Sequence, residues 1–189
     1  MKKDTYHHGN LRNELIEKGL QYLDKHGEDS LSMRKLADSA GVSSAAPYAH
    51  FKNKEAYLQA VQEYVTLQFS DALTMAAEGC QDPSRILLEM GKAYVLFFYE
   101  NPLYYKFLFT RGNVDVRQYQ PFTFFERKVR DFFLHTLRME FSEDVLRAKT
   151  YALWSMVHGL AQLVTMDDVI DEERVEEVVE TILSSVSLT

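Results

Sequence analysis

Apolar residues recur every three to four positions along nearly the whole chain, and no run alternates as a half-buried strand would. Leu11, Leu15, Ile16, Leu20 and Leu23 give one apolar face to a helix over 9–26, closed by Gly27 as a C-terminal cap. Ser32 is placed to cap a second helix that buries Met33, Leu36 and Ala37 and ends at Ala40. Gly41 supplies the positive φ of a tight helix–helix turn, and Val42 is expected to plug the core behind it. Ser43 or Ser44 then caps a third helix with Pro47 in its first turn. Asn53-Lys-Glu opens a long fourth helix, about 54–77. Breaks at Asp82-Pro83, Asn101-Pro102, Arg111–Tyr119, Phe141-Ser142 and Asp167–Asp171 leave helices near 83–100, 102–110, 120–140, 142–167 and 172–187. The pattern predicts an all-α chain of about nine helices: a three-helix head over 1–53 and an antiparallel helical body over 54–189.

The most specific chemistry lies between Ser32 and Glu55. Two short helices flank a glycine turn, and the second carries small or hydrogen-bonding residues where long side chains are usual. A helix lying in the DNA major groove needs close backbone approach, donors for phosphate and little bulk, as in a helix-turn-helix. Arg34 and Lys35 either reach a phosphate or are solvated charges. Ser43 and Ser44 either donate to phosphate or cap the helix, while Ala45 and Ala46 allow close approach and suit a thymine methyl. Tyr48 is the leading candidate, its hydroxyl reaching a phosphate oxygen while the ring packs locally. Phe51 is assigned to the core. Lys54 opens the fourth helix, where its charge and the helix amides together suit a phosphate. No Arg, Asn or Gln lies on the third helix, so bidentate base readout is missing. Sequence preference must then come from Ser, Ala and Tyr contacts, from an arm with Lys2, Lys3, His7, His8 and Arg12, or from DNA shape.

The order Leu36-Ala37, Ala40-Gly41-Val42-Ser43, Tyr48-Ala-His-Phe51 and Lys54-Glu55, behind an amphipathic helix, resembles the DNA-binding domain of the TetR family of bacterial transcription regulators. The resemblance spans Gly9–Val61. It implies that Tyr48 and His50 meet the DNA backbone, although a histidine at a cap or core edge fits position 50 as well. It also implies a homodimer reading a palindromic operator.

The body is crowded with aromatics. Tyr94, Phe97, Phe98, Tyr99, Tyr104, Tyr105, Phe107 and Phe109 fall on two neighbouring helices, and Phe122, Phe124, Phe125, Phe132 and Phe133 on a third. They fill a thick core or line a cavity for an apolar or aromatic ligand; Tyr94, Phe98, Tyr105 and Phe125 are the candidates to face such a cavity. Trp154…His158-Gly159 resembles a TetR subgroup named for its Trp-His-Gly signature. Indole and imidazole stand one turn apart, so His158 is either a hydrogen-bonded core histidine or a ligand contact, and Trp154 shares that choice. Val175, Val178, Val179, Ile182, Leu183 and Val186 make an apolar stripe on the last helix. With Trp154's helix it would form a four-helix bundle between two subunits, the dimerisation the resemblance implies; intrachain packing is the alternative.

Charge changes this picture little. The net charge is −7, but residues 1–60 hold nine basic against eight acidic side chains, so the acidity lies in the body. There is no signal-peptide core or apolar run of spanning length, which points to a cytoplasmic protein. Cys80 stands alone, structural or a redox sensor but no half of an internal disulfide. His7-His8 has no partners spaced for metal, and no phosphate-binding glycine loop or nucleophile triad is present, so neither a cofactor nor enzymatic activity is expected. The leading expectation is a homodimeric repressor that binds double-stranded DNA and is released by a small-molecule effector. The alternative is a DNA-binding regulator whose body serves only dimerisation or a protein partner.

Overall fold

The computed structural model of the chain describes residues 8–110, 119–166 and 174–185. Among them are eight α-helices and no strand: α1 (His8–His26), α2 (Met33–Ser39), α3 (Lys54–Gly79), α4 (Ile86–Glu100), α5 (Pro102–Thr110), α6 (Gln120–Asp131), α7 (Glu143–Val164) and α8 (Val175–Ser184). The chain divides into two compact units, Met1–Val65 and Thr66–Thr189, so the division falls inside α3.

In the first unit Leu11, Leu15, Ile16 and Leu20 of α1 are buried with Leu36 and Ala37 of α2 and with Phe51, Tyr57 and Val61. The Ser32 side chain accepts from the Lys35 amide at 3.3 Å, capping α2. Gly27 and Gly41 hold φ of 74° and 65°, the left-handed region where a Cβ is penalised. The expected third helix is instead a four-residue 3₁₀ turn, Ala46–Ala49. Pro47 has no N–H to donate, and the amides around it close i→i−3 bonds, Ala46 to Ser43 and Tyr48 to Ala45, before Phe51 closes an i→i−4 bond to Pro47. Its cap residue is Ala45, with no side-chain cap bond, so Ser43 enters through its carbonyl. Pro47 is buried and Val42 only half-buried, which gives the proline the plugging role expected of the valine.

In the second unit α4 packs against both α7 and α8. Gly91 sits where they meet: an added Cβ would lie 3.2 Å from Leu183 Cδ1 and 3.4 Å from Val157 Cγ1. Ser142 caps α7, accepting from Val145 N at 3.4 Å. The helix expected to reach 140 ends earlier. After Asp131 the chain widens into a π turn, Phe132–Thr136, in which consecutive Phe132 and Phe133 are both buried. Arg138, at φ 53°, then stops it. Arg85 and Lys92 both reach Glu180, at 3.2 and 3.0 Å, tying the start of α4 to α8.

Candidate nucleic-acid interface and aromatic cluster

The first unit presents a small-residue turn beside the capped α2. Arg34, Ser43, Ser44 and Ala45 are exposed, Ala46 and His50 half-buried, and Tyr48 is 58% exposed. An aromatic so open to water contributes little to the core, which leaves its ring and hydroxyl available to a partner. Phe51 is buried, with its edge against Tyr57 at 5.1 Å. Two cations are partly committed within the unit. Lys54 Nζ donates to the Glu28 carbonyl at 2.6 Å, bracing the start of α3 against the α1–α2 loop. Lys35 Nζ donates to the Ser30 carbonyl at 2.8 Å and stands over the Tyr22 ring. The Ser30 hydroxyl, and then Lys35, hold the Tyr22 phenol below its ordinary value. Lys2, Lys3 and His7 lie outside the described residues, as does the side chain of His8.

One pair in this unit has no local sequence signal. The fully buried Tyr57 hydroxyl donates toward the Leu15 and Ile16 carbonyls of α1, at 3.3 and 3.2 Å. It passes over Gly19, where any Cβ would collide with the phenol oxygen. Burial and the nearby Glu17 raise the Tyr57 phenol far above its ordinary range, so it stays a neutral donor.

The second unit holds a continuous aromatic cluster. Phe69 of α3 lies 4.8 Å from Tyr94, 5.2 Å from Phe97, 4.6 Å from Phe98 and 6.5 Å from Tyr119, between ring centroids. His158 of α7 is bracketed by two phenols, Tyr94 Oη at 2.8 Å from Nδ1 and Tyr105 Oη at 3.3 Å from Nε2. A neutral imidazole donates through one nitrogen and accepts at the other, so the two tyrosines satisfy it completely. Burial pushes His158 down from its ordinary value, favouring that neutral form. Tyr94 and Phe98 are fully buried; Trp154 lies 5.1 Å from Phe122 and 5.4 Å from Phe125. The aromatic candidates thus gather in one cluster, although Phe125 joins it only through Trp154 among these contacts.

The stripe on α8 is divided. Val175 and Val179 are buried in the chain's own core, Val178 is half-buried and Ile182 is 37% exposed; Val186 lies outside the described residues. On α7, Ala152, Ser155, Leu163 and Met166 are exposed at helical spacing, and nothing lies within 4 Å of a Cβ built on Gly159. Among the described residues no helix is long and apolar enough to cross a membrane, and no cluster of His, Cys, Asp or Glu could hold a metal ion.

A capped helix, a glycine turn and an exposed small-residue element, followed by an aromatic all-helical body, define a DNA-binding regulator of the helix-turn-helix class. Residues 15–61 match the family described as "Bacterial regulatory proteins, tetR family", and residues 87–186 match "Tetracyclin repressor-like, C-terminal domain". The chain belongs to the TetR family and is a transcriptional regulator, not an enzyme. Its head is similar to tetracycline repressor protein class A from transposon 1721 of Escherichia coli, 45% identical over 51 residues, 27% of this chain and 24% of that protein. The chain therefore spans about a quarter of the curated relatives it matches. A protein from Rhodococcus sp. RHA1 shares the fold over 97% of this chain and 96% of its own, with TM-score 0.74 and 28% identity. AibR, solved in complex with isovaleryl coenzyme A and operator DNA, shares the fold over 90% of this chain and 96% of its own, with TM-score 0.69 and 15% identity.

Proposed function

We propose that the protein is a homodimeric repressor whose two heads bind a palindromic operator and are released when a small apolar or aromatic ligand enters the body. Arg34, Ser43, Ser44, Ala45, Ala46, Tyr48 and His50 form the DNA-facing surface, with Lys54 behind them. Phosphate contacts position the head, and the small side chains let the backbone approach the bases. Trp154, His158 and Gly159 support a place in the Trp-His-Gly subgroup. The dimer joins through the exposed α7 stripe around Gly159 and through Ile182 of α8, where a missing Cβ admits a second helix.

The observation that carries the ligand reading is Phe69. This residue touches four rings of the cluster and sits on α3, the helix that begins at Lys54. A ligand among these rings must displace them, so binding and movement of α3 are one event. Differential affinity of about 1–3 kcal/mol between the two conformations suffices for useful control.

The test begins with selection of duplexes from a random DNA pool at fixed moderate salt, followed by screening of apolar ligands for release of the selected operator. Enrichment of a palindrome with half-sites on one face of the duplex, and release by a ligand that also raises the melting temperature, is the expected result. Failure of the folded protein to enrich any sequence overturns the operator reading. Operator binding that no ligand alters would leave the body as a dimerisation core alone.

A further inference from the structure

One hydroxyl of the aromatic cluster, that of Tyr119, has no hydrogen-bond partner among the described residues. Tyr119 is 6% exposed, its ring 6.5 Å from Phe69 and 6.2 Å from Phe109, yet its hydroxyl makes no hydrogen bond. Burial raises the phenol far above its ordinary range, and Thr66 beside it draws it only partly back without closing a bond. One helical turn beyond Thr66 on the same face of α3, the buried Ser70 hydroxyl is unpaired too. Buried polar groups are nearly always satisfied, and the unpaired Tyr119 hydroxyl, on the ring beside Phe69, is an exception that a ligand's acceptor would satisfy.

The cluster also constrains what that ligand is. From Tyr119 the ring contacts run through Phe109 to His158 at 4.5 Å, and through Phe69 to Tyr94 at 4.8 Å. None of these side chains is Lys, Arg, Asp or Glu, and burial favours the neutral form of His158. Among these described side chains an anion would find no cation, and a cation no carboxylate, so either would be desolvated without compensation from them. A neutral molecule meets no such penalty. The Tyr119 phenol is the donor placed among these rings, and it carries its proton at physiological pH.

We propose that the effector is a neutral, flat, largely apolar molecule carrying one hydrogen-bond acceptor, such as an aryl ketone or ester, and that the Tyr119 hydroxyl selects it by donating to that acceptor. This rests on the ligand-responsive reading above and adds the chemical class. The tyrosine is a specificity determinant: it does not create the apolar site, but it separates ligands of equal size by polarity.

Four probes of similar size decide the matter: acetophenone, ethylbenzene, benzoate and benzylammonium, added to the full-length protein and to Tyr119→Phe. Trp154, the one tryptophan of the chain, reports binding by fluorescence, and melting temperature gives a second readout. Acetophenone is expected to bind tightest. Tyr119→Phe weakens it by about three- to tenfold, the range for one neutral hydrogen bond, and leaves ethylbenzene within about twofold. The variant's own melting temperature is no lower than that of the parent protein, because the deleted hydroxyl had no partner. Tighter binding of either ion overturns the proposal, as does equal weakening of ketone and hydrocarbon. A lower melting temperature with unchanged ketone affinity also overturns it, since the hydroxyl would then be serving an internal water. In each of those cases binding still occurs and the ligand-responsive reading stands. Binding of none of the four defeats the proposal, and a wider screen for operator release then judges the broader reading by itself.

Discussion

Replacing Gly19 by alanine should destabilise the first unit even though alanine is the better helix former. On propensity alone the substitution in the middle of α1 would gain about 1 kcal/mol. The added Cβ, however, would overlap the Tyr57 hydroxyl, approach Tyr57 Cζ to 2.6 Å and lie 2.9 Å from Leu36 Cδ1. None of these atoms is free to retreat, because Tyr57 and Leu36 are both fully buried. Overpacking of this kind costs about 1–3 kcal/mol. Pushing the phenol aside also forfeits its bonds to the Leu15 and Ile16 carbonyls, about another 1 kcal/mol. Set against the propensity gain, the net loss is about 1–3 kcal/mol. Tyr57→Phe alone costs about 1 kcal/mol, since both carbonyls keep their helical partners. In the phenylalanine background the Gly19→Ala penalty shrinks, because the closest clash is with the oxygen that has gone; some remains, because the ring tip is still there. Urea unfolding followed by circular dichroism, run as a double-mutant cycle, measures this coupling directly. A neutral or stabilising Gly19→Ala would refute the argument, and so would an equal penalty in both backgrounds.

Tyr48→Phe and Tyr48→Ala should both weaken operator binding, by about ten- to a hundredfold if the hydroxyl meets a charged phosphate oxygen, with the fold intact by circular dichroism. Unchanged affinity in a gel-shift titration would place the contact surface elsewhere. His158 favours its neutral form when folded, and its pKa lies below the unfolded value of about 6.5. Its contribution to stability is therefore present above pH ~6.5 and lost as pH falls through the folded value. Melting temperature should decline more steeply with acidification in the parent protein than in His158→Gln; parallel profiles would contradict this. Arg138 is exposed and holds φ 53°, so Arg138→Gly should raise stability by about 0.5–1 kcal/mol, read as a shift in the urea midpoint at constant slope.

Where a feature depends on one residue and its immediate neighbours, it was legible in the sequence. Ser32 caps its helix, Gly41 takes the positive φ assigned to its turn, and Gly27, read as a helix cap, takes one too, because capping and left-handed turns are chemistry within three or four positions. The element after Gly41 was given the wrong geometry, a helix where the fold has a 3₁₀ turn. Pro47 is acceptable in the first turn of an α-helix, yet the segment runs only four residues and closes mainly by i→i−3 bonds, with one i→i−4 bond from Phe51 to Pro47 at its end. The π turn at Phe132–Thr136 was not legible, since periodicity is blind to one extra residue per turn. Tyr57 on Gly19 and the phenols on His158 join positions far apart in the chain; composition supplied the tyrosines, and only the fold could pair them.

A hydrophobic stripe says that a face is covered without saying by what, and α8 makes the point. Its valines recur at helical spacing, and a sequence reading can spend them on a second subunit or on the chain itself. The fold spends Val175, Val179 and Leu183 on the chain itself, with Leu183 fitted against Gly91 of α4. Arg85 and Lys92 then hold Glu180 on the flank of the same helix. Burial of that face is an intrachain requirement that would persist in a monomer. What is left for the proposed dimer is the row that the chain's own core does not need: Ile182 on α8, and Leu163 and Met166 beyond the open notch at Gly159 on α7. Apolar side chains left in water beside a missing Cβ cost the monomer free energy and cost nothing once a second helix lies across them. In the proposed dimer the partner helix therefore lies chiefly across α7, and α8 contributes its edge.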